Sequence, residues 1–332
     1  MRLGLMVGYW MAGPEDPIEI VLEAERLGYD SAWTAEAYGS DVFSPLCWIG
    51  ARTTRIKLGT GIMQISARTP ACAAMTAMTI DHLSGGRLLL GIGVSGPQVV
   101  EGWYGQPFPK PMGRTREFVQ LFRQMLRREG PVSFAGRHYQ LPFPGGAGLG
   151  KPLKLITRPL RSHIPIYLGA EGPQNVALAA EIADGWLPLF YSPYRTDIYA
   201  ESLQHAKMDF DIACTVTVVV SDDVAQALFP VKIALAFYLG GMGARSKNFH
   251  LNLMERMGFG DAARRVQALF LDGKRDEAIA AVPDQLADEI SLVGPRDRIR
   301  ERLQPWIKSP VKTLLAGTRD PVAVRLLAET VL

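Results

Sequence analysis

Cysteine is scarce in this chain. Cys47, Cys72 and Cys214 are the only three in 332 residues, and no two have C-x-x-C spacing. That excludes a disulfide framework, and with five histidines it leaves little material for a metal site. Isolated thiols of this kind are expected to be buried apolar fillers in a reduced, cytoplasmic setting. Long apolar runs are missing too. No stretch reaches the roughly 18 residues of a membrane-spanning helix. The opening MRLGLMVGYW lacks the apolar region and cleavage site of a secretory leader. Charge of one sign is also in short supply. The 36 basic and 33 acidic residues leave a net of +3, too weak a field to argue for nucleic acid or a membrane surface as partner.

What the chain does have is apolar material: 48% of residues are hydrophobic and 21% charged, enough for a large core and no sign of disorder. The length suits a decorated (β/α)8 barrel. The most informative stretch is Ile56 to Phe108. Ile56 to Gly61 reads as a strand and Thr69 to Leu83 as a helix, with Pro70 where its missing N–H costs nothing. Ser84-Gly85-Gly86 stops that helix. Arg87 to Ile92 is an apolar strand of the sort buried on both faces. Two strands joined by a helical crossover make a βαβ unit, so they should be parallel. The loops after such strands are where parallel α/β folds place ligands.

The same rhythm runs on both sides. Strands are expected at Arg2 to Gly8, Tyr29 to Thr34, Ile164 to Gly169, Gly185 to Phe190, Phe210 to Val220 and Val311 to Ala316, which makes eight in all. The fold class is therefore α/β, and the spacing is that of a (β/α)8 barrel or a doubly wound sheet; one domain over 1–332 is expected, with insertion segments around 104–160 and 240–295. Gly240, Gly241 and Gly243 read as a hinge, and Ser246 to Ala281 as helical material extra to a plain barrel.

Three glycine-bearing motifs invite ligands. Gly91-Ile-Gly-Val-Ser-Gly96 matches the dinucleotide fingerprint G-x-G-x-x-G, but that fingerprint belongs on a first strand and this is the fourth. Small residues there would also let a flat ring approach the barrel mouth, with Ser95 and Gln98 bonding its edge. Gly145 to Lys151 looks like a P-loop until Pro152 stands where Ser or Thr must hold Mg²⁺; a lid over the site and an inert loop are both open. Gly169-Ala170-Glu171-Gly172-Pro173 joins a strand to a helix. Its unpaired N–H groups and the helix dipole suit a phosphate, and an ordinary βα turn is the plain alternative. The aromatics Tyr9, Trp10, Trp33, Tyr38, Trp103, Trp186 and Phe190 lie near strand ends and could line an apolar pocket.

The runs RIKLGTGI, RTP and TIDHLSGGRLLLGIGVSG, with IPIYLGAEGPQNVALAAEIADGW, resemble the luciferase-like monooxygenase family. More narrowly they resemble its F420-dependent oxidoreductase branch, near methylenetetrahydromethanopterin reductase. The resemblance covers most of 1–190 and implies a TIM barrel that transfers a hydride between the deazaflavin coenzyme F420 and a small organic substrate. An FMN-dependent luciferase-like monooxygenase and a non-catalytic barrel that binds flavin or F420 are the alternatives. It implies that Gly169, Ala170, Glu171, Gly172 and Pro173 hold the cofactor phosphate. It also implies that Gly61-Ile62 forms a non-prolyl cis peptide whose bulge presses on the ring, and that the chain forms a homodimer. Arg68, Arg245 and Lys247 could meet the acidic tail of the cofactor. The family's dehydrogenases commonly carry Asp-His just past the second strand. Here the pair is Glu36-Ala37, so a His base is missing and Glu36 is left as the candidate acid/base. Its alternative is a carboxylate that bonds backbone N–H groups of the next loop.

Overall fold

The structure, a computed structural model, describes residues 1–8, 15–242 and 248–332. Tyr9, Trp10, Gly243, Arg245 and Lys247 lie outside the described residues. Eight parallel strands close on themselves: β1 Arg2–Met6, β2 Ser31–Thr34, β3 Lys57–Thr60, β4 Leu88–Gly93, β5 Ile166–Gly169, β6 Gly185–Leu187, β7 Asp211–Val220 and β8 Thr313–Gly317. Each pairs with the next, and β8 returns to β1 with Arg2 to Leu5 opposite Thr313 to Ala316. Of the barrel and the doubly wound sheet that the strand-helix rhythm allowed, this is the barrel, the TIM barrel that the resemblance implied.

Side-chain alternation divides the core in two. On β4, Leu88, Leu90 and Ile92 face the surrounding helices, while Leu89 points into the barrel with Trp33, Tyr167, Leu187, Ala213 and Leu315. Glycines make room for the large members of this inner layer. A Cβ on Gly59 would lie 2.1 Å from the Trp33 ring, and one on Gly185 would lie 2.4 Å from the Tyr167 ring. The two rings meet edge to face at 5.3 Å. Below them the barrel is closed by a polar plug. Asp211, 5% exposed, accepts from Tyr167 Oη at 2.9 Å and Thr313 Oγ1 at 3.0 Å and pairs with Arg2 at 2.6 Å. A buried carboxylate is tolerable there because its oxygens are all engaged. With the bottom filled, the C-terminal mouth is the open end of the barrel among the described residues.

The helices follow their local signals. Thr69 caps the helix Pro70–Leu83 by accepting from Cys72 N, and Gly85 and Gly86 beyond its end take φ of 68° and 88°. The helix Pro111–Arg127 buries Phe118, Val119, Leu121, Phe122, Met125 and Leu126 on one stripe. Asp223 caps the helix Val224–Gly240 through Gln226 N.

Three expectations are corrected. Gly240 is no hinge. It ends a helix pressed on Phe270, where a Cβ would lie 2.2 Å from the ring, so close packing explains the glycine. Cys47 and Cys72 are exposed and only Cys214 is buried, because the first two fall on outward helix positions. Finally, the segment 240–295, expected as an insertion to the barrel, ends in a strand, Ser291–Gly294, that joins the sheet. It extends β7 on the edge opposite β8, since Thr217 pairs with Ser291 on one side and Gly317 on the other.

The thiols give a first prediction. Burial pushes the Cys214 thiol far up, away from thiolate chemistry. An aromatic disulfide reagent should titrate two thiols per native chain within minutes and the third only in denaturant. Three reactive thiols before unfolding would contradict this packing.

Candidate functional site

The mouth of the barrel holds a cavity of about 1050 Å³, walled by the C-terminal ends of the strands. That is at the upper end of small-molecule sites, roughly 300–1,000 Å³. Its wall includes Met6 to Gly8 after β1, Ala35 to Ala37 after β2, Gly61, Ile62 and Gln64 after β3, Gly93 to Gly96 after β4, and Gly169 to Asn175 after β5. Leu187 to Leu189, Thr215 and Gly317 to Arg319 complete the ring, and Phe108, Met112, Tyr238, Phe249 and His250 cover it from the insertions.

The wall is shaped first at β3. Gly59 lies opposite Leu89 and Met63 opposite Ile92, so four steps on this strand match three on β4 and one residue is extruded. The extruded turn contains Gly61-Ile62, joined by a cis peptide bond. The Ile62 side chain lies in a slot between β4 and β5. A Cβ on Gly93 would come within 2.9 Å of Ile62 Cδ1, and one on Gly169 within 3.0 Å of Cγ2. Those two glycines leave the space that Ile62 fills.

Glu36 ties this bulge to the loop after β2. It is 8% exposed. Its Oε1 accepts from Gln64 N at 2.8 Å and Arg68 Nη1 at 2.7 Å, and its Oε2 from Val42 N at 3.1 Å. Gln64 Nε2 adds a bond to Ala37 O at 2.8 Å, while its Oε1 is buried without a partner. Arg68 Nη2 reaches Asp41 at 3.0 Å, and the guanidinium lies over the Phe43 ring. Burial alone would raise the Asp41 carboxyl; bonds from Ser44 and Phe43 and the Arg68 charge outweigh it and hold the group low. Tyr104 donates to Ala37 O at 3.3 Å, and burial followed by the Glu36 charge pushes its phenol up. The geometry at Glu36 is thus that of the plain alternative: a carboxylate bonding backbone N–H groups. Arg68 is engaged at both ends.

After β4, Ser95 sits on the wall with φ of 59°. Gly96 caps a short helix, Pro97–Gly102. Gln98 is exposed and outside the cavity wall, its Oε1 folded beside Gly96. After β5, Gly169, Ala170, Glu171, Gly172 and Pro173 all reach the wall. The helix Pro173–Ile182 starts there, with Gly172 as N-cap and no side chain bonding its first N–H groups. Its open dipole end faces the cavity, as an anion site requires.

The aromatic expectation fails for the described residues. Trp33 and Trp186 are 1% and 0% exposed in the core, while Tyr38 and Trp103 are 51% and 66% exposed outside it. Neither they nor Phe190 lines the cavity, and neither does any residue of 143–151. Sequence reasoning also missed His250, which sits at the start of the helix Phe249–Arg256. Asn248 caps this helix through His250 N and Leu251 N, both at 3.0 Å. That cap was the signal available, but nothing in the sequence aims an insertion helix at the mouth. His250 Nδ1 lies 2.8 Å from Glu171 Oε1, and Arg256 Nη2 donates to Glu171 O at 2.7 Å. Among the described residues no group of three or more His, Cys, Asp or Glu could hold a metal ion, and no helix is long and apolar enough to cross a membrane.

Comparison with known proteins adds three likenesses and one family match. The sequence model of the luciferase-like monooxygenase family matches residues 5–313. A Mycobacterium tuberculosis protein named "Putative coenzyme F420-dependent oxidoreductase Rv3520c" is 50% identical, over 100% of this chain and 99% of its own. The 5,10-methylenetetrahydromethanopterin reductase of Archaeoglobus fulgidus is 31% identical over 89% of this chain and 87% of its own. The solved coenzyme F420-dependent tetrahydromethanopterin reductase of Methanopyrus kandleri superposes with a TM-score of 0.77, at 23% identity over 99% and 98% of the two chains.

Proposed function

The chain belongs to the luciferase-like monooxygenase family, and on that premise we propose that it is an F420-dependent oxidoreductase acting on a small organic substrate. The observation that carries this reading is the cavity itself. It joins the Ile62 bulge, backed by Gly93 and Gly169, to the open helix end at Gly172-Pro173. A flat ring and a phosphate have a fitting surface each. Bound there, F420 would supply a hydride carrier at its central ring.

The residues then divide the work. Ala170, Gly172 and the first turn of the following helix bind the phosphate through N–H groups. Ile62 would back the ring. Ser95 bonds the ring edge. The covering residues Phe108, Met112 and Phe249 would shield a bound ring from water. Glu36 holds the bulge in place through Gln64 and Arg68 and does not itself exchange a proton with substrate.

Titration of the purified protein with F420 and FMN side by side tests the reading. F420 should bind at least about tenfold more tightly, a difference of roughly 1.4 kcal/mol. The F420 complex should then pass a hydride to members of a panel of enones, imines and aldehydes. Preference for FMN with oxygen consumption would favour monooxygenation instead. Binding of F420 without turnover on any of the panel would favour a binding barrel.

A further inference from the structure

We propose that the segment 151–160, with Leu83 beside it, docks the protein on an anionic lipid surface, its aliphatic side chains entering the headgroup layer between basic ones. This holds independently of the F420 reading. The net charge of +3 averages over the whole chain and conceals a local asymmetry. From 130 to 170 the chain has no Asp or Glu, yet it carries Arg137, Lys151, Lys154, Arg158 and Arg161.

The backbone of the segment is tied down while its apolar side chains stand out. Val132 N donates to Leu153 O at 2.8 Å and Arg128 Nε to Leu155 O at 2.7 Å, and His82 Nε2 lies 2.7 Å from Arg158 O. Leu155 packs on the core, whereas Leu153, Ile156 and Leu160 are 68%, 96% and 52% exposed. A Cβ on Gly86 would lie 3.7 Å from Leu160 Cδ2, so the segment runs past the end of the helix Pro70–Leu83. Leu83, its last residue, is 82% exposed. One exposed leucine is ordinary; several held together on a fixed backbone mark an interaction surface.

The neighbouring charges do not cancel. Asp81 is matched by Arg161 at 2.7 Å and Glu129 by Arg127 at 3.5 Å. Glu117 accepts from the N–H groups of Arg137, His138 and Tyr139 and offsets the Arg137 charge. Arg128, Lys151, Lys154 and Arg158 are left without a carboxylate partner among the described residues. Four positive charges thus surround the aliphatic side chains.

An anionic bilayer complements both features, since its headgroups take the cations and its acyl boundary takes the apolar tips. A second copy does not, because a two-fold contact here would set the basic segment against itself. Side chains this exposed project outward, as entry into a soft headgroup layer requires, and do not line a hollow for a protein anchor. Barrel helices run back against the strands, so the ends of Pro70–Leu83 and Pro111–Arg127, and the patch with them, lie on the face opposite the mouth. A docked protein keeps its mouth toward the water.

Vesicle sedimentation tests this with the full chain. Phosphatidylcholine vesicles are compared with vesicles containing about 30% phosphatidylglycerol, in about 50 mM and about 500 mM NaCl. In low salt the protein should partition at least about tenfold more strongly onto the anionic vesicles, and high salt should remove most of that difference. Lys151→Gln with Lys154→Gln should lower partitioning by about tenfold or more. Ile156→Ser with Leu160→Ser alters no charge and should lower it by about tenfold or more as well. All four positions are exposed, so both double variants should keep the native urea midpoint. Equal partitioning onto the two kinds of vesicle overturns the proposal, as does none onto either. A serine pair that partitions like the native chain also overturns it, since the contact would then be charge alone. So does a smaller oligomer in the serine pair than in the native chain, since the patch would then seat a second copy.

Discussion

Gly91→Ala should be the most damaging single-methyl change in the barrel wall. A Cβ at position 91 would lie 1.9 Å from the Thr60 carbonyl oxygen and 2.7 Å from Leu187 Cδ1. The Leu187 contact can rotate away, but the carbonyl belongs to the neighbouring strand. Its residue is already fixed by Thr60 Oγ1 donating to Gly91 O at 2.7 Å. Relief requires β3 and β4 to separate, and overpacking against backbone falls at the severe end of such changes, above about 3 kcal/mol. Thr60 also precedes the Gly61-Ile62 turn, so any protein that folds should bind cofactor poorly. Urea unfolding and F420 titration measure the two effects. Gly102→Ala is the control: it ends a short helix with nothing within 4 Å of a new Cβ, and should be neutral or stabilising by about 0.5 kcal/mol. Equal stability of the two variants would refute the close-approach argument.

Replacement of Glu36 should have the next largest effect, and it separates two roles. Glu36→Ala strips the acceptor from two buried N–H groups, those of Val42 and Gln64, and from the Arg68 guanidinium. Each buried N–H left without an acceptor costs roughly 1–3 kcal/mol. A loss of about 2–5 kcal/mol in unfolding free energy is expected, together with weakened F420 binding as the bulge loosens. Glu36→Gln keeps an acceptor oxygen but removes the charge facing Arg68. For a positioning residue this variant should retain most of kcat and lose mainly cofactor affinity. For an acid/base it would lose kcat by about 10²-fold or more while binding F420 normally. The second pattern would restore Glu36 as the proton carrier.

How far the sequence foretold these arrangements depends on the range of the interaction. Strands and helices were legible because their signals are local: Pro70 at a helix start, Gly85 and Gly86 past its end, the apolar run Leu88 to Leu90. The wall residues Gly61, Ile62, Ser95 and Gly169 to Pro173 were legible because strand ends in a parallel barrel converge on one mouth. Gln98 was not, since one residue into a helix its side chain turns away from the wall. The aromatics misled for a related reason. Trp33 stands at a strand end, but Gly59 beside it opens space inside the barrel, and the ring goes inward. His250 could not be found, because its contact with Glu171 joins positions 79 residues apart through an insertion whose path is not periodic.

The strand Ser291–Gly294 gives the insertion before it a particular mechanical character. The helix Val224–Gly240 leaves from the end of β7, and Ser291–Gly294 comes back to pair with that same strand. Everything between is a bracket bolted twice to one stave. The bracket also leans on two neighbouring staves: Arg256 holds the Glu171 carbonyl after β5, and Glu289 holds Ser192 and Arg195 after β6. A change in what roofs the mouth is therefore passed to the Glu171 turn beneath it, and roof and seat answer to each other.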